Sequence, residues 1–501
     1  MASEKSLAAW MGLCDGLIIM PDLNTKDIEQ KISRAIIANQ DKYFLFAARP
    51  ASIQRIDLLA KAFNKYLGAG MINMLYQNDD SAYFFSKYHF KRFSHNLWSG
   101  LKSTDAISKH LTTYYKLRNK MLDLSEEVKG VKANRTDLLK IFRKQQRVSE
   151  QFSYYFITTF GVDDYIFPKF QSSLKKCWSG DKYEEAIRAI SAQTKIFGYQ
   201  EYQLYLLSHK KAINYDYLIR KYNWLTEYSY KEPLLNKEMI RNDCRSLVDK
   251  DLRLSVISLN SRIKNNQRNL QKILAEITDK DLRASARLIN EYINIKTDRI
   301  EVYKKLQANF RIFFEKLVEL WSEQRPALQY DDCISMIDEE IIAALRGNLA
   351  INPGLLKKRF RQDFVSIYQD DRLHFVYDKS LIKKIRNIFL SVKNSEVSGL
   401  VVSKGRVKGL ARLIKSKADF SKFKAGEILV CNFTTPDYIP LMNKAAGIIT
   451  DDGGITCHAA IISRELNKPC IVGTKSATRT IKTGDLLDLD ADQGIIKILS
   501  A

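Results

Sequence analysis

One stretch of this 501-residue sequence has the residue types and spacing to do chemistry: Gly453-Gly454-Ile455-Thr456-Cys457-His458-Ala459-Ala460-Ile461-Ile462-Ser463-Arg464. The two glycines predict a tight turn in which backbone approaches a bound group closely. Thr456 stands where a helix N-cap is expected and is read as a hydrogen-bonding partner of the imidazole or of a phosphoryl group. His458 follows in the first helical turn, while Ala459, Ile462 and Leu466 form the apolar stripe that seats the helix on a sheet. A neutral imidazole at an exposed edge is a nucleophile toward phosphorus. Its phosphorylated form carries about two negative charges near neutral pH, which the positive end of a helix stabilises. Ala459 and Ala460 are read as leaving room beside the ring, and Arg464 as a partner for an incoming phosphate or for a carboxylate. The pattern points to His458 as a phosphoryl carrier supported by Gly453, Gly454, Thr456 and Arg464. The plainer alternative is a histidine that only occupies a helix start.

The surrounding elements have to present that stretch. Residues 400–498 switch to short strands separated by glycines: 400–402, 410–414, 427–430, 446–450, 469–472, 486–489 and 494–498, with helices near 436–445 and 456–466. Upstream the period is helical. Apolar residues recur at three- and four-residue steps over 52–66, 103–122, 136–160, 182–195, 198–224 and 236–322, the last with a break near Thr278-Asp279. Tyr43–Ala48 reads as a strand, 336–346 as a short helix, 357–378 as a small sheet turning at 369–372, and 379–390 as a helix. The polar run Asn394–Gly399 reads as a linker. The fold class expected is α+β and multidomain, with a mostly α-helical N-terminal region followed by a C-terminal β/β/α domain. The divisions are 1–50 (mixed), 51–325 (helical acceptor or docking domain), 326–393 (small α/β connection) and 394–501 (the histidine domain).

The totals restrict the function classes. The net charge is +23, and it is spread out: 16 basic and 11 acidic residues fall from Ser391 onward, against 64 and 46 before it. No basic run is interleaved with a nucleic-acid motif, so a solvated basic surface is preferred to nucleic-acid binding. The seven cysteines form no Cys-x-x-Cys pair and the six histidines lack ligand spacing. Neither a disulfide framework nor a metal site is expected, and a reducing cytoplasm fits. No apolar run has the length of a membrane span, and Glu4, Lys5 and Asp15 interrupt any signal-peptide pattern.

The twelve-residue stretch resembles, position by position, the phosphohistidine signature of the phosphoenolpyruvate (PEP)-utilising enzymes. Thr434–Met442, Ala446–Asp452 and Asn467–Gly473 resemble the family's segments around it. Gly399–Ala501 is therefore similar to the swivelling phosphohistidine domain of PEP synthase, pyruvate phosphate dikinase and rifampin phosphotransferase. The resemblance implies that an ATP-grasp domain phosphorylates His458 and that the domain then carries the phosphoryl group to pyruvate/PEP or another small organic acceptor. Residues 1–390 lack the glycine-rich phosphate loop and strand-rich composition of an ATP-grasp module, and no barrel follows the histidine domain. The expectation is thus a phosphotransferase component loaded by a separate ATP-grasp protein of the PEP/pyruvate-binding type. That protein would bring ATP and Mg²⁺, with no cofactor bound tightly by this chain.

The acceptor region is read in the helical part, where 205–235 resembles the acceptor region of rifampin phosphotransferase. His209 and Trp224 are candidates there. Arg299, in line with Arg283 and Arg287 on one long helix, is a third, against the reading of a solvated basic stripe. Two rivals from other classes remain at this stage: a regulatory or scaffolding protein that keeps the domain for binding, and a basic helical nucleic-acid-binding protein.

Overall fold

The computed structural model describes residues 43–48, 61–62, 65–67, 72–75, 81–101, 103–209, 212–226, 234–247, 250–322, 329–347, 353–361, 364–369, 372–380, 383, 396–415, 417–434, 438–454, 457–474 and 476–500. In chain order these contain strands β1 (Tyr43–Ala48), β2 (Ile72–Leu75) and β3 (Ser81–Ser86), then helices α1 (Lys87–Gly100), α2 (Thr104–Glu127), α3 (Arg135–Gly161), α4 (Phe167–Cys177), α5 (Gly180–Ile190), α6 (Gly198–Ser208) and α7 (Tyr215–Tyr222). Next come α8 (Lys237–Ser246), α9 (Lys250–Ile257), α10 (Leu259–Glu276), α11 (Lys280–Ser322), α12 (Tyr330–Cys333), α13 (Asp338–Leu345) and α14 (Pro353–Arg361), followed by β4 (Phe364–Gln369) and β5 (Arg372–Val376). The C-terminal domain runs β6 (Glu396–Ser398), β7 (Leu400–Ser403), β8 (Arg406–Ile414), β9 (Ile428–Cys431), α15 (Ile439–Lys444), β10 (Gly447–Thr450), α16 (His458–Glu465), β11 (Cys470–Val472), α17 (Ala477–Thr480), β12 (Leu486–Asp490) and β13 (Ile495–Ser500).

The helical part is organised on α11. It has 43 residues without glycine or proline, so it runs ~65 Å. Ala284, Leu288, Tyr292, Ile295, Arg299, Val302, Leu306, Phe310, Phe313 and Leu317 are all buried on it, a stripe at three- and four-residue steps on a helix that packs against α2 and α3. Aromatic residues fill this seam, with Phe142 stacked on Phe313 at 5.2 Å and Tyr114 on Phe152 at 5.7 Å. The expected break before α11 forms at 277–279, where Asp279 Oδ1 accepts from Leu282 N at 2.8 Å. The single helix expected over 198–224 is interrupted instead, because Asn214 caps a new start at α7 by accepting from Tyr217 N at 2.9 Å. Three further helices likewise replace one continuous run over 236–276.

Of the small sheet expected over 357–378, residues 357–361 belong instead to α14, and the strands β4 and β5 form only from 364 onward and do not stand alone. They complete an antiparallel five-stranded sheet in the order β1-β3-β2-β4-β5. Residues expected to belong to separate N-terminal and connecting segments therefore share one sheet. The helical pattern read from residue 52 onward does not extend through β2 and β3. Most of the helix expected over 379–390 lies outside the described residues.

In the C-terminal domain the strand order is β6-β13-β12-β8-β9-β10-β11-β7. The nine-residue β8 joins the two halves: Arg406–Leu410 pair antiparallel with β12, and Ala411–Ile414 pair parallel with β9. Strands β9, β10 and β11 continue in parallel and are fully buried, as expected of strands covered on both faces. At Gly447 an added Cβ would lie 2.5 Å from Leu489 Cδ2 and 2.9 Å from Val407 Cγ1, so only glycine admits this closeness of the two halves. Residues 396–398, read as linker, form the edge strand β6 with Val397 buried against β13.

Phe313 tests the helical core. Phe313→Ala removes a fully buried ring, and chemical denaturation is expected to show a loss of ~3–5 kcal/mol with the β-rich domain's spectroscopic signature intact.

Candidate functional site

The site begins where β10 ends. Strand pairing continues past Thr450, with Asp451 N donating to Cys431 O at 3.1 Å and Asp452 N to Asn432 O at 2.8 Å. The Asp451 carboxylate accepts from Thr474 Oγ1 at 2.8 Å, from Thr478 N at 3.2 Å and from Thr478 Oγ1. Thr450 Oγ1 closes the turn on Asp452 O at 2.7 Å. Gly453 then adopts φ +126°, and an added Cβ would meet Cys457 Sγ at 2.7 Å. Left-handed backbone and close contact together demand glycine there. Gly454 O accepts from Cys457 N at 3.0 Å and starts the chain into α16.

The helix cap is not the expected one. Cys457 is the N-cap, its Sγ accepting from Ala460 N at 3.4 Å; Thr456 lies outside the described residues. A thiol thus takes the position that the sequence pattern suggested for a hydroxyl. His458 is the first residue of α16 and is half-buried. Its Nδ1 lies 2.8 Å from Thr434 Oγ1, and Thr434 is itself buried just beyond the end of β9. A nucleophilic lone pair on Nε2 requires the proton on Nδ1, and Thr434 Oγ1 is positioned to accept it. Ala459 and Ala460 are both buried.

Arg464 is a larger departure. It sits six residues, ~9 Å, along the helix from His458. Its Nε donates to Val402 O at 2.9 Å and its Nη1 to Ser191 Oγ. It thus makes hydrogen bonds well away from the ring. Burial pushes its guanidinium down to about 10, so it stays charged at neutral pH.

The three acceptor candidates are held in different surroundings. His209 is exposed at the end of α6 and stacks on Tyr205 at 4.0 Å. Trp224 is buried, donates Nε1–H to Lys221 O at 2.9 Å, and lies under Lys305 Nζ at 4.6 Å. Arg299 is buried with its guanidinium carbon 4.2 Å from the centre of the Phe156 ring. Its expected companions diverge, Arg283 donating to Ile277 O at 2.8 Å and Arg287 facing solvent. No common arginine face forms. Thr434 and Ser191 were not singled out in the sequence. Thr434 stood in a segment with family resemblance but carried no sign of its partner 24 residues on, and Ser191 carried no signal. Among the described residues no group of three or more His, Cys, Asp or Glu side chains is arranged to hold a metal ion. No described helix is long and apolar enough to cross a membrane.

Comparison with known proteins places this geometry. Residues 423–494 match the family model "PEP-utilising enzyme, mobile domain". A probable phosphoenolpyruvate synthase from Methanothermobacter thermautotrophicus is 46% identical over 107 residues, 21% of this chain and 16% of that protein. One from Archaeoglobus fulgidus is 48% identical over 100 residues, 20% and 13% of the two chains. An uncharacterized phosphotransferase of Bacillus subtilis, YvkC, is 33% identical over 214 residues, 41% and 26% of the two. That match is longer than the C-terminal domain and so reaches beyond it. The matched regions span between 13% and 26% of these relatives' own lengths.

Two substitutions test the site. Thr434→Val is expected to abolish the single-tautomer ¹⁵N signature of the His458 ring, and Thr434→Ser to keep it; an unchanged spectrum in the valine variant would show that the contact does not set the tautomer. Gly453→Ala is expected to lower stability by at least ~1–2 kcal/mol, the usual cost of left-handed backbone in an L-residue, read as a lower melting temperature.

Proposed function

Residues 423–494 carry the mobile domain of the PEP-utilising enzymes, and we propose that His458 is its phosphoryl carrier within a phosphotransferase. The observation that carries the reading is the ring itself: half-buried at the start of α16, with Nδ1 engaged by Thr434 at 2.8 Å. The Nε2 lone pair attacks the phosphorus of an ATP-derived phosphoryl donor; a P–N bond forms and the bond to the leaving oxygen breaks. Thr434 holds the Nδ1 proton and keeps the ring pointed during the attack. The helix N-terminus and the turn at Gly453 favour the negative charge of the phosphorylated ring. In the second half an acceptor oxygen attacks the same phosphorus, the P–N bond breaks, and neutral His458 is regenerated.

In this reading a separate ATP-grasp protein of the PEP/pyruvate-binding type loads His458 and handles ATP and Mg²⁺. The acceptor is pyruvate/PEP or another small organic molecule, and the reaction is cytoplasmic. Two observations support the phosphotransfer class: the mobile-domain match, and relatives named as phosphoenolpyruvate synthases and a phosphotransferase. Arg464 is not part of the phosphate site in this proposal, because its contacts lie at the other end of the helix.

Incubation with γ- and β-labelled ATP and an ATP-grasp partner is expected to leave acid-labile, base-stable label on the wild-type chain and background label on His458→Ala. Equal labelling of the two proteins would refute the assignment.

A further inference from the structure

The helices α6, α7 and α8 carry a surface that the chemistry at His458 leaves unused. Residues 198–230 hold eight tyrosines and no phenylalanine. Two of the eight, Tyr202 and Tyr222, fill a local core with Leu218 and Trp224. Tyr205, Tyr215 and Tyr217 stay half-exposed. A buried ring gains nothing from a hydroxyl that must then find a partner. Tyrosine suits a surface that is apolar on its ring faces and wet at its edge.

Rings and cations alternate across this surface. His209, exposed at the end of α6, stacks on Tyr205 with 4.0 Å between ring centres and 10° between planes. Tyr205 in turn meets Tyr217 of α7 at 5.1 Å. Lys221, one turn along α7, donates to the Tyr217 hydroxyl at 3.1 Å and lies 5.5 Å from the centre of its ring. On the other flank of α7 the Arg241 guanidinium of α8 covers Tyr215 at 5.7 Å. Arg220 is exposed on the ridge between the two flanks. Asp216 shares that ridge, 3.8 Å from Lys237, and Glu201 precedes Tyr205 by one turn. No basic run in the sequence contains these rings, because rings and cations arrive from three separate helices and interleave only in space.

Such a strip has a definite preference among polyanions. Unpaired bases stack on protein rings whatever their sequence, and cations beside the rings meet the phosphates that join the bases. A duplex keeps its bases stacked inside and offers these residues little beyond its phosphates. We propose that His209, Tyr205, Tyr217 and Tyr215, with Lys221 and Arg241, form a binding strip for single-stranded nucleic acid. The excess of 64 basic over 46 acidic residues ahead of Ser391 draws a polyanion toward this part of the chain, and the rings select the unpaired form. The proposal is independent of the phosphoryl-carrier reading, and its test uses no ATP.

Fluorescence anisotropy on the full chain reads it. The probes are a labelled RNA of roughly 12 nucleotides, within the usual reach of such platforms, and the duplex of the same sequence, with unlabelled UMP as competitor. The single strand is expected to bind about fivefold or more tighter than the duplex at equal salt. His209→Ala/Tyr217→Ala should weaken strand binding by a further factor of about five or more, the lower end of what one stacked base contributes, and leave duplex binding unchanged. Tyr217→Phe should bind as the wild type does. Lys221→Gln/Arg241→Gln should instead flatten the slope of log affinity against log salt by about one to two. Equal affinity for strand and duplex, or an undiminished strand affinity in the alanine variant, would reduce the surface to general polyanion attraction and overturn the proposal. UMP competing as well as the unlabelled strand would overturn it in favour of a mononucleotide site. A thermal melt matching the wild type certifies the alanine variant; if that variant melts early, an unchanged salt slope in Lys221→Gln/Arg241→Gln is the overturning result.

Discussion

The hydrogen bond between Thr434 and His458 is the contact on which the site depends. It joins a residue just beyond β9 to the first residue of the helix that follows β10. Its geometry is therefore only as good as the pairing of those two strands. That pairing is parallel, buried on both faces, and prolonged past the strand ends by Asp451 and Asp452 bonding to Cys431 and Asn432. The Asp451 carboxylate then ties the same turn to α17 through Thr474 and Thr478. A ring held through such a chain of bonds keeps one orientation at little entropic cost on reaction, which is the benefit of a preorganised nucleophile.

The strands, helix and turn around the histidine were legible in the sequence because each has a local signal. Short apolar runs between glycines give strands, and Gly453 is demanded by φ and by Cys457 Sγ together. The break at Asp279 was legible for the same reason, since a cap is a matter of neighbouring residues. What was not legible depended on partners far along the chain. Residues 396–398 look like linker by composition and become a strand only because β13 offers an open edge. The hairpin at 364–376 could be read, but not its union with β2, almost 300 residues earlier. The cap was misplaced by one residue, since a threonine is the stronger local signal and only the geometry of the turn selects Cys457.

Arg464 shows what a local reading leaves out. Its place in the motif suggested a phosphate contact, but a residue nearly two turns from the helix start faces a different environment. There it meets a carbonyl of its own domain and a hydroxyl of the helical part. The long α11, which forms the aromatic seam with α3, also holds the loop at 191–194 through Asn290 and Asn294. The stability of the bundle and the shape of the 191–194 loop therefore share one element.

The joint at the end of α16 includes several polar contacts. Across the boundary Arg464 meets a hydroxyl, and the Glu465 carboxylate meets Arg262. Ser191 Oγ also donates to Ile187 O. Burial raises the Glu465 carboxyl above its usual range, with Arg262 opposing the shift; desolvation thus offsets part of the attraction that this pair supplies. The Lys404–Glu184 pair is largely exposed, and such pairs contribute ~0–1 kcal/mol. Within the histidine domain, by contrast, three parallel strands are buried outright. The strand pairing thus keeps His458 in register with Thr434, while apolar and polar contacts together join the domain to the helical part.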